Sequence, residues 1–233
     1  MPAQTATQQA TALVADLQLR MRQAADPGRA GPMQAYMKTD QPFYGIQAGP
    51  RRRLFRQAHS AHPLTSRRAW ELAVRRLWGG ARREDMYQAL ELVEAYPAYL
   101  DGASWPLLEE LVKSATHWDT LDWIAAKLVG ALVRLDRSFE SSLIAWWSSE
   151  RLWVRRASLL AHLHHKGETN TGLLASTILA LADDPDFFIR KAIGWVLREY
   201  AKTDPAWVRE FVDDHQGRLS PLSQREARKR LDS

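Results

Sequence analysis

The side chains best suited to chemistry lie in one short string, His117-Trp118-Asp119-Thr120-Leu121-Asp122-Trp123. Trp118 and Asp122 are four residues apart, so on a helix they share a face. A carboxylate beside tryptophan rings favours nearby positive charge, because the ring faces are electron-rich. It can also orient or deprotonate a water molecule. Asp119 suits another task, satisfying amides at the start of the helix. Taken singly, each residue also fits a structural role: Asp122 as half of a salt bridge, Trp118 and Trp195 as core.

Internal repetition sets Asp122 apart. Trp118, Trp153 and Phe188 recur at a 35-residue spacing. In the later copies the likeness extends from Leu152-Trp153-Val154-Arg155-Arg156-Ala157 to Phe187-Phe188-Ile189-Arg190-Lys191-Ala192. In that register Asp122 fills a slot held by Ala157 and Ala192, and a residue that breaks a repeat is a functional candidate. Leu121 aligns with Arg156 and Lys191, and Trp195 with Ala125 and Leu160. Trp118, Asp122, Arg156 and Trp195 are therefore expected on neighbouring helices.

The elements that must carry these residues read as helices throughout, with no alternating strand pattern of useful length. Apolar spacing predicts helices over 8–24, 51–61, 66–78, 83–96, 105–114, 118–133, 139–147, 152–164, 173–182, 187–202, 205–215 and 221–231. A short segment at 33–37 precedes a loop at 39–50. Asp26-Pro27-Gly28 reads as a stop. Ser66, Asp101 to Ser104 and Ser220-Pro221 read as N-terminal caps. Two helices per repeat of this length indicate an all-α helical-repeat solenoid. It is read as one domain, 1–233, with an N-terminal helix in 1–30 and stacked helix pairs over 31–231. Basic pairs at the helix starts oppose the macrodipole, so they are expected on one shared face as a basic stripe.

Composition narrows the function. The 233 residues carry a net charge of +5, ten tryptophans and no cysteine. Arginine dominates the basic residues and is often doubled, as at Arg67-Arg68, Arg75-Arg76 and Arg82-Arg83; its planar fork suits phosphate oxygens. Disulfides, thiolate zinc sites and a cysteine nucleophile are excluded, and a reducing cytosol fits. No apolar run is long enough to span a membrane, and Met1 to Arg20 lacks the pattern of a secretory signal. His162, His164 and His165 cluster without a carboxylate at ligand spacing, so no metal site is expected. No glycine-rich phosphate loop is present.

The sequence resembles the AlkD-like DNA alkylation repair proteins, bacterial DNA glycosylases built from HEAT-like repeats. The resemblance is carried by Ala35-Tyr36-Met37-Lys38, Pro42-Phe43-Tyr44-Gly45-Ile46, Trp118-Asp119-Thr120-Leu121-Asp122, Trp153-Val154-Arg155-Arg156-Ala157 and the run Phe187 to Tyr200. It implies a HEAT-like solenoid whose concave face binds duplex DNA. It also implies hydrolysis of the N-glycosidic bond of cationic N3- and N7-alkylpurines, without metal or cofactor. By that resemblance Asp122 is the catalytic aspartate, and Trp118 and Trp195 embrace the deoxyribose. Arg156 contacts the DNA backbone near the lesion, and Tyr36 and Gln47 lie near the DNA. Arg155, Arg190 and Lys191 extend the phosphate-binding face. The implied partner is double-stranded DNA carrying alkylated purines, met by a monomer in the bacterial cytosol and nucleoid. One position departs from the pattern: His117 stands where active relatives place an aromatic residue. Some branches of the family bind DNA with weak or no cleavage. A damage-binding protein, or a helical scaffold for another protein, are the competing readings.

Overall fold

Thr5 begins the first helix by closing a capping box with Gln8, and from there a computed structural model shows α-helices joined by short turns. It describes residues 4–231, and no strand occurs among them. The outermost residues of the 1–233 span lie outside the described residues. Contacts divide the chain into two compact units, Met1–Leu100 and Asp101–Ser233.

The first unit contains α1 (Ala6–Gln23), α2 (Pro27–Met37), α3 (Ala48–Ala61), α4 (Arg67–Trp78) and α5 (Arg83–Glu94). Ala10, Leu13, Val14, Leu17 and Met21 form the buried stripe of α1, which packs on α3 and α4. Helix α2 is longer than the 33–37 segment expected. Asp26-Pro27 both stops α1 and starts α2: the Asp26 carboxylate accepts from the Arg29 amide, and Pro27 sits at the first helical position. Ser66 caps α4 as expected. Trp70 is fully buried and its indole donates to the Leu92 carbonyl at 3.2 Å.

The first turn of α5 is charged and buried. Glu84 is wholly enclosed and accepts three loop amides, from Tyr44 (2.9 Å), Gly45 (2.9 Å) and Ile46 (3.1 Å). Asp85 lies beneath Tyr44, whose hydroxyl donates to it at 3.4 Å. Burial pushes the Asp85 carboxyl up to about 6 and the Tyr44 phenol up to about 12.

The second unit contains α6 (Trp105–Ser114), α7 (Trp118–Trp123), α8 (Gly130–Leu135), α9 (Glu140–Ala145), α10 (Leu152–Leu160), α11 (Thr171–Ala180), α12 (Phe187–Tyr200), α13 (Pro205–Asp214) and α14 (Pro221–Arg228). A π-helical segment, Ile124–Val129, joins α7 to α8 where one continuous helix is expected from the periodicity. Helix α10 is shorter than the 152–164 span, ending at Leu160 before turns that carry the histidines. It contacts both α7 and α12, and α12 packs on α14. Several tryptophans serve the core: Trp105 stacks on Phe139 and Trp146, and both indoles are buried.

Gly194 permits the α12–α14 contact. A Cβ there would lie 2.4 Å from Glu226 Cβ and 2.8 Å from the Ser223 carbonyl oxygen. Gly194→Ala is expected to lower stability by about 1–3 kcal/mol through overpacking, read by thermal unfolding; an unchanged midpoint would refute close packing there.

Glu226 ties the same pair of helices. Its carboxylate, 5% exposed, meets Lys191 and Lys229 at 2.6 Å each, and also Arg198. Burial acts to raise its pKa, but the hydrogen bonds and charges of the two lysines prevail and hold it at about 2. A depressed carboxylate contributes stability above its unfolded pKa and loses it as pH falls through the folded value. The window therefore runs from about 4.5 down to about 2. Glu226→Gln is expected to cost on the order of 1–2 kcal/mol at neutral pH, since both lysines are partly solvated. Comparative denaturation at pH 7 and pH 2.5 checks this: the gap between variant and parent should narrow in acid.

Candidate active site

The site is built from three helices of the second unit. Trp118 and Asp122 stand one turn apart on α7, and both are half-buried. From α10, Arg156 meets the Asp122 carboxylate with a two-pronged fork: Nε donates to Oδ1 and Nη2 to Oδ2, each at 2.8 Å. Its remaining nitrogen, Nη1, donates to the Phe188 carbonyl at the start of α12. The Arg156 guanidinium carbon also lies 5.8 Å from the centre of the Phe188 ring. One buried arginine thus links α7, α10 and α12. Side-chain exposure is 5% for Arg156 and 15% for Asp122.

This arrangement leaves a carboxylate at the surface edge of the unit, fixed in direction by its partner. Burial pushes the Asp122 carboxyl above the usual aspartate range. Arg156 pulls it down through its hydrogen bonds and charge, and the Asp119 charge pushes it up; the net direction is upward. Such a group can hold positive charge that develops beside it and can direct a water molecule.

Phe188 begins a run of aromatic contacts beside the pair. Trp153 and Phe188 lie 5.0 Å apart, and Phe187 meets Phe188 edge-on at 5.4 Å. Trp195 is half-buried and follows Phe188 by seven residues on α12, which puts both on one stripe of the helix. Trp123, beside Asp122, carries the Lys127 ammonium 4.8 Å from its ring centre. His117 is the N-cap of α7, and its Nδ1 is 2.8 Å from the Thr116 hydroxyl.

The basic residues expected on a shared face each have partners within the second unit. Neighbouring helical residues point about 100° apart, so the two members of a doublet take different partners. Arg156 turns inward to Asp122. Arg155 turns to Asp184 (2.8 Å) and to the Ser149 and Glu150 carbonyls. Arg190 donates to the Asp184 carbonyl at 3.2 Å, and Lys191 pairs with Glu226. Tyr36 and Gln47 belong to the first unit. Tyr36 is 75% exposed on α2, and Gln47 is the exposed N-cap residue of α3, making no side-chain capping bond.

Sequence reasoning missed two contributors. The Phe188 carbonyl is a backbone group that no residue type announces. The π segment begins two residues after Asp122 and ends where Gly130 lets α8 approach the end of α10. A Cβ on Gly130 would lie 2.4 Å from the Ala161 carbonyl oxygen. His165 is buried there and its Nε2 donates to the Gly130 carbonyl at 2.8 Å. His162, edge-on to His165, is enclosed, and burial drives its pKa down to about 3, so it is neutral. Among the described residues no group of three or more potential ligands could hold a metal ion.

A family model for DNA alkylation repair enzymes matches residues 17–231. The chain belongs to the DNA alkylation repair enzyme family. A solved structure from Enterococcus faecalis, described as a predicted DNA alkylation repair enzyme, is similar as well. It shares 32% identity over 89% of this chain and 96% of its own, with a TM-score of 0.81. No curated protein matches the chain. The Asp122–Arg156–Phe188 linkage, Trp118 and Trp195 all fall within the span that matches the alkylation repair family. No helix among the described residues is long and apolar enough to cross a membrane.

Proposed function

We propose that this alkylation repair family member is a DNA glycosylase that hydrolyses the N-glycosidic bond of cationic N3- and N7-alkylpurines in duplex DNA. The observation that carries the reading is the half-buried Asp122 carboxylate, which shares α7 with Trp118 and is aimed by a bidentate arginine from α10. Alkylation leaves the base positively charged, so it departs as a neutral molecule with the electrons of the broken bond. The sugar gains oxocarbenium character as it does so. Asp122 stabilises that charge and directs water to C1′, taking up the proton directly or through solvent. Trp118 and Trp195 offer ring faces to the cationic sugar. The chemistry calls for no metal or cofactor.

In this reading the repeats are HEAT-like. The residues proposed to lie near DNA strands are Tyr36 and Gln47 of the first unit and Arg155, Arg190 and Lys191 of the second. The protein acts as a monomer in the bacterial cytosol, associated with the nucleoid when bound. Arg156, buried as it is, supports the carboxylate first and reaches a phosphate only by exchanging one of its present partners.

Incubation with methylated duplex DNA, followed by chromatography for free 7-methylguanine and 3-methyladenine, tests the proposal. Absence of either base above the spontaneous rate sinks it. One observation favours a second reading, a damage-binding protein with weak or no cleavage: both oxygens of Asp122 are already engaged by Arg156. That reading expects salt-sensitive affinity for alkylated duplex with no base released.

A further inference from the structure

We propose that a pocket in the first unit, between the end of α1, the start of α2 and the loop before α3, is a phosphate-ester site built on Arg22 and Arg82. The pocket encloses about 420 Å³ and is lined by Arg22, Ala25, Pro27, Ala30, Phe43, Tyr44 and Arg82. Its walls contain two guanidinium groups and no carboxylate.

Neither guanidinium forms an ion pair with an acidic side chain, though the Arg22 charge acts on the buried Asp85 carboxyl. Arg22 has no hydrogen bond or ion pair from its side chain among the described residues. Arg82 spends Nη1 on the Phe43 carbonyl at 2.8 Å, which leaves its other nitrogens for a ligand. That bond, and the stacking of the guanidinium 5.4 Å from the Tyr44 ring centre, hold Arg82 in place before any ligand arrives. Two buried acids lie behind the pocket wall: Asp85 is turned to the Tyr44 hydroxyl and the Arg82 amide, and Glu84 to the Tyr44, Gly45 and Ile46 amides. Asp26 is occupied at the cap of α2 and by Arg29.

Two guanidinium groups lining one concavity suit the oxygens of a phosphate. The buried Phe43 and Tyr44 rings add an apolar floor suited to a sugar or base edge. The ligand class is therefore a phosphate ester carrying a nucleoside. Its source is either a strand phosphate of DNA or a terminal or free nucleotide. The site belongs to the first unit and the Asp122 cluster to the second, and the proposal does not depend on base release.

The test uses the full chain and three variants: Arg22→Ala, Arg82→Gln, and Arg29→Ala as a control that removes a neighbouring charge outside the pocket. Calorimetric titration with a nucleoside 5′-monophosphate, and with inorganic phosphate, reads the free-ligand source. Titration with unmodified duplex, with and without 5′-phosphates, across a salt series reads the DNA source. Thermal unfolding confirms that each variant is folded; Arg22→Ala, which alters an exposed side chain, keeps the test open if Arg82→Gln does not fold.

Expected for a nucleotide or terminal-phosphate site is binding weakened at least tenfold by Arg22→Ala and little by Arg29→Ala. Expected for a strand-phosphate site is a salt slope reduced by about 0.9 in Arg22→Ala, with a smaller change in Arg29→Ala. The proposal is overturned if Arg22→Ala and Arg29→Ala behave alike with every ligand, or if no phosphate ligand binds the parent.

Discussion

Asp122→Asn is expected to lower release of 7-methylguanine from methylated duplex by about 10²–10³-fold, the usual cost of removing a placed electrostatic group from a reaction centre. Binding to the same duplex should change far less, because the residue acts on charge that appears only as the bond breaks. The carboxylate must be ionised to act. Its pKa lies above the ordinary aspartate value, with burial as the main cause. The parent rate should therefore fall with acidification at a pH above that expected of an exposed aspartate. Stability moves the other way. A raised carboxyl favours the protonated form in the folded state, so its cost to folding is present at neutral pH and is relieved as pH drops through the folded value. Asp122→Asn should remove both dependences together. Single-turnover rates across pH 4–8, beside unfolding at the same pH values, check this; equal base release with and without the carboxylate would reject Asp122 as the catalytic group.

Arg156→Ala should cost about 3–5 kcal/mol of stability, the usual result of removing one partner of a buried ion pair. The loss strands the Asp122 carboxylate and also the Phe188 carbonyl. Replacing both partners, as Asp122→Leu with Arg156→Met, should recover much of that cost, because no buried charge then lacks a partner. Base release should be absent from the double variant and strongly reduced in Arg156→Ala. Arg156→Lys keeps the charge but cannot form the two-pronged fork, so it should fold and yet work poorly. Urea denaturation of the four proteins measures the stabilities. A cost below about 1 kcal/mol for Arg156→Ala would place the pair among surface ion pairs and remove its role as the tie among three helices.

Much of this site could be read in the sequence, and particular residues show why the rest could not. Helical periodicity found nearly every element, since apolar spacing is written directly in residue type. The 35-residue register separated Asp122 from Ala157 and Ala192, and it put Trp118 and Arg156 on helices that do pack together. It picked out Arg156 for the cluster but could not name the bonded partner of either Arg155 or Arg156. The two are chemically identical neighbours, and only the rotation of α10 sends one to Asp184 and the other to Asp122. Asp26-Pro27 failed for a related reason: the residues that end α1 are also good helix starters, so a stop hid a beginning. Arg83-Glu84-Asp85 looks like a solvated run, yet all three residues are buried. Their partners are backbone amides and side chains about forty residues earlier, which no local pattern reveals.

The Glu84 carboxylate makes one helix responsible for the shape of a distant loop. Tyr44, Gly45 and Ile46 hold their conformation because a side chain on α5 gathers their amides. Gln47 follows at once and starts α3. These three protons are therefore a built-in gauge of the first turn of α5. In hydrogen exchange they should be lost together, at the rate at which that turn opens. A change at Glu84 would then reach Gln47 without any alteration to the loop's own sequence.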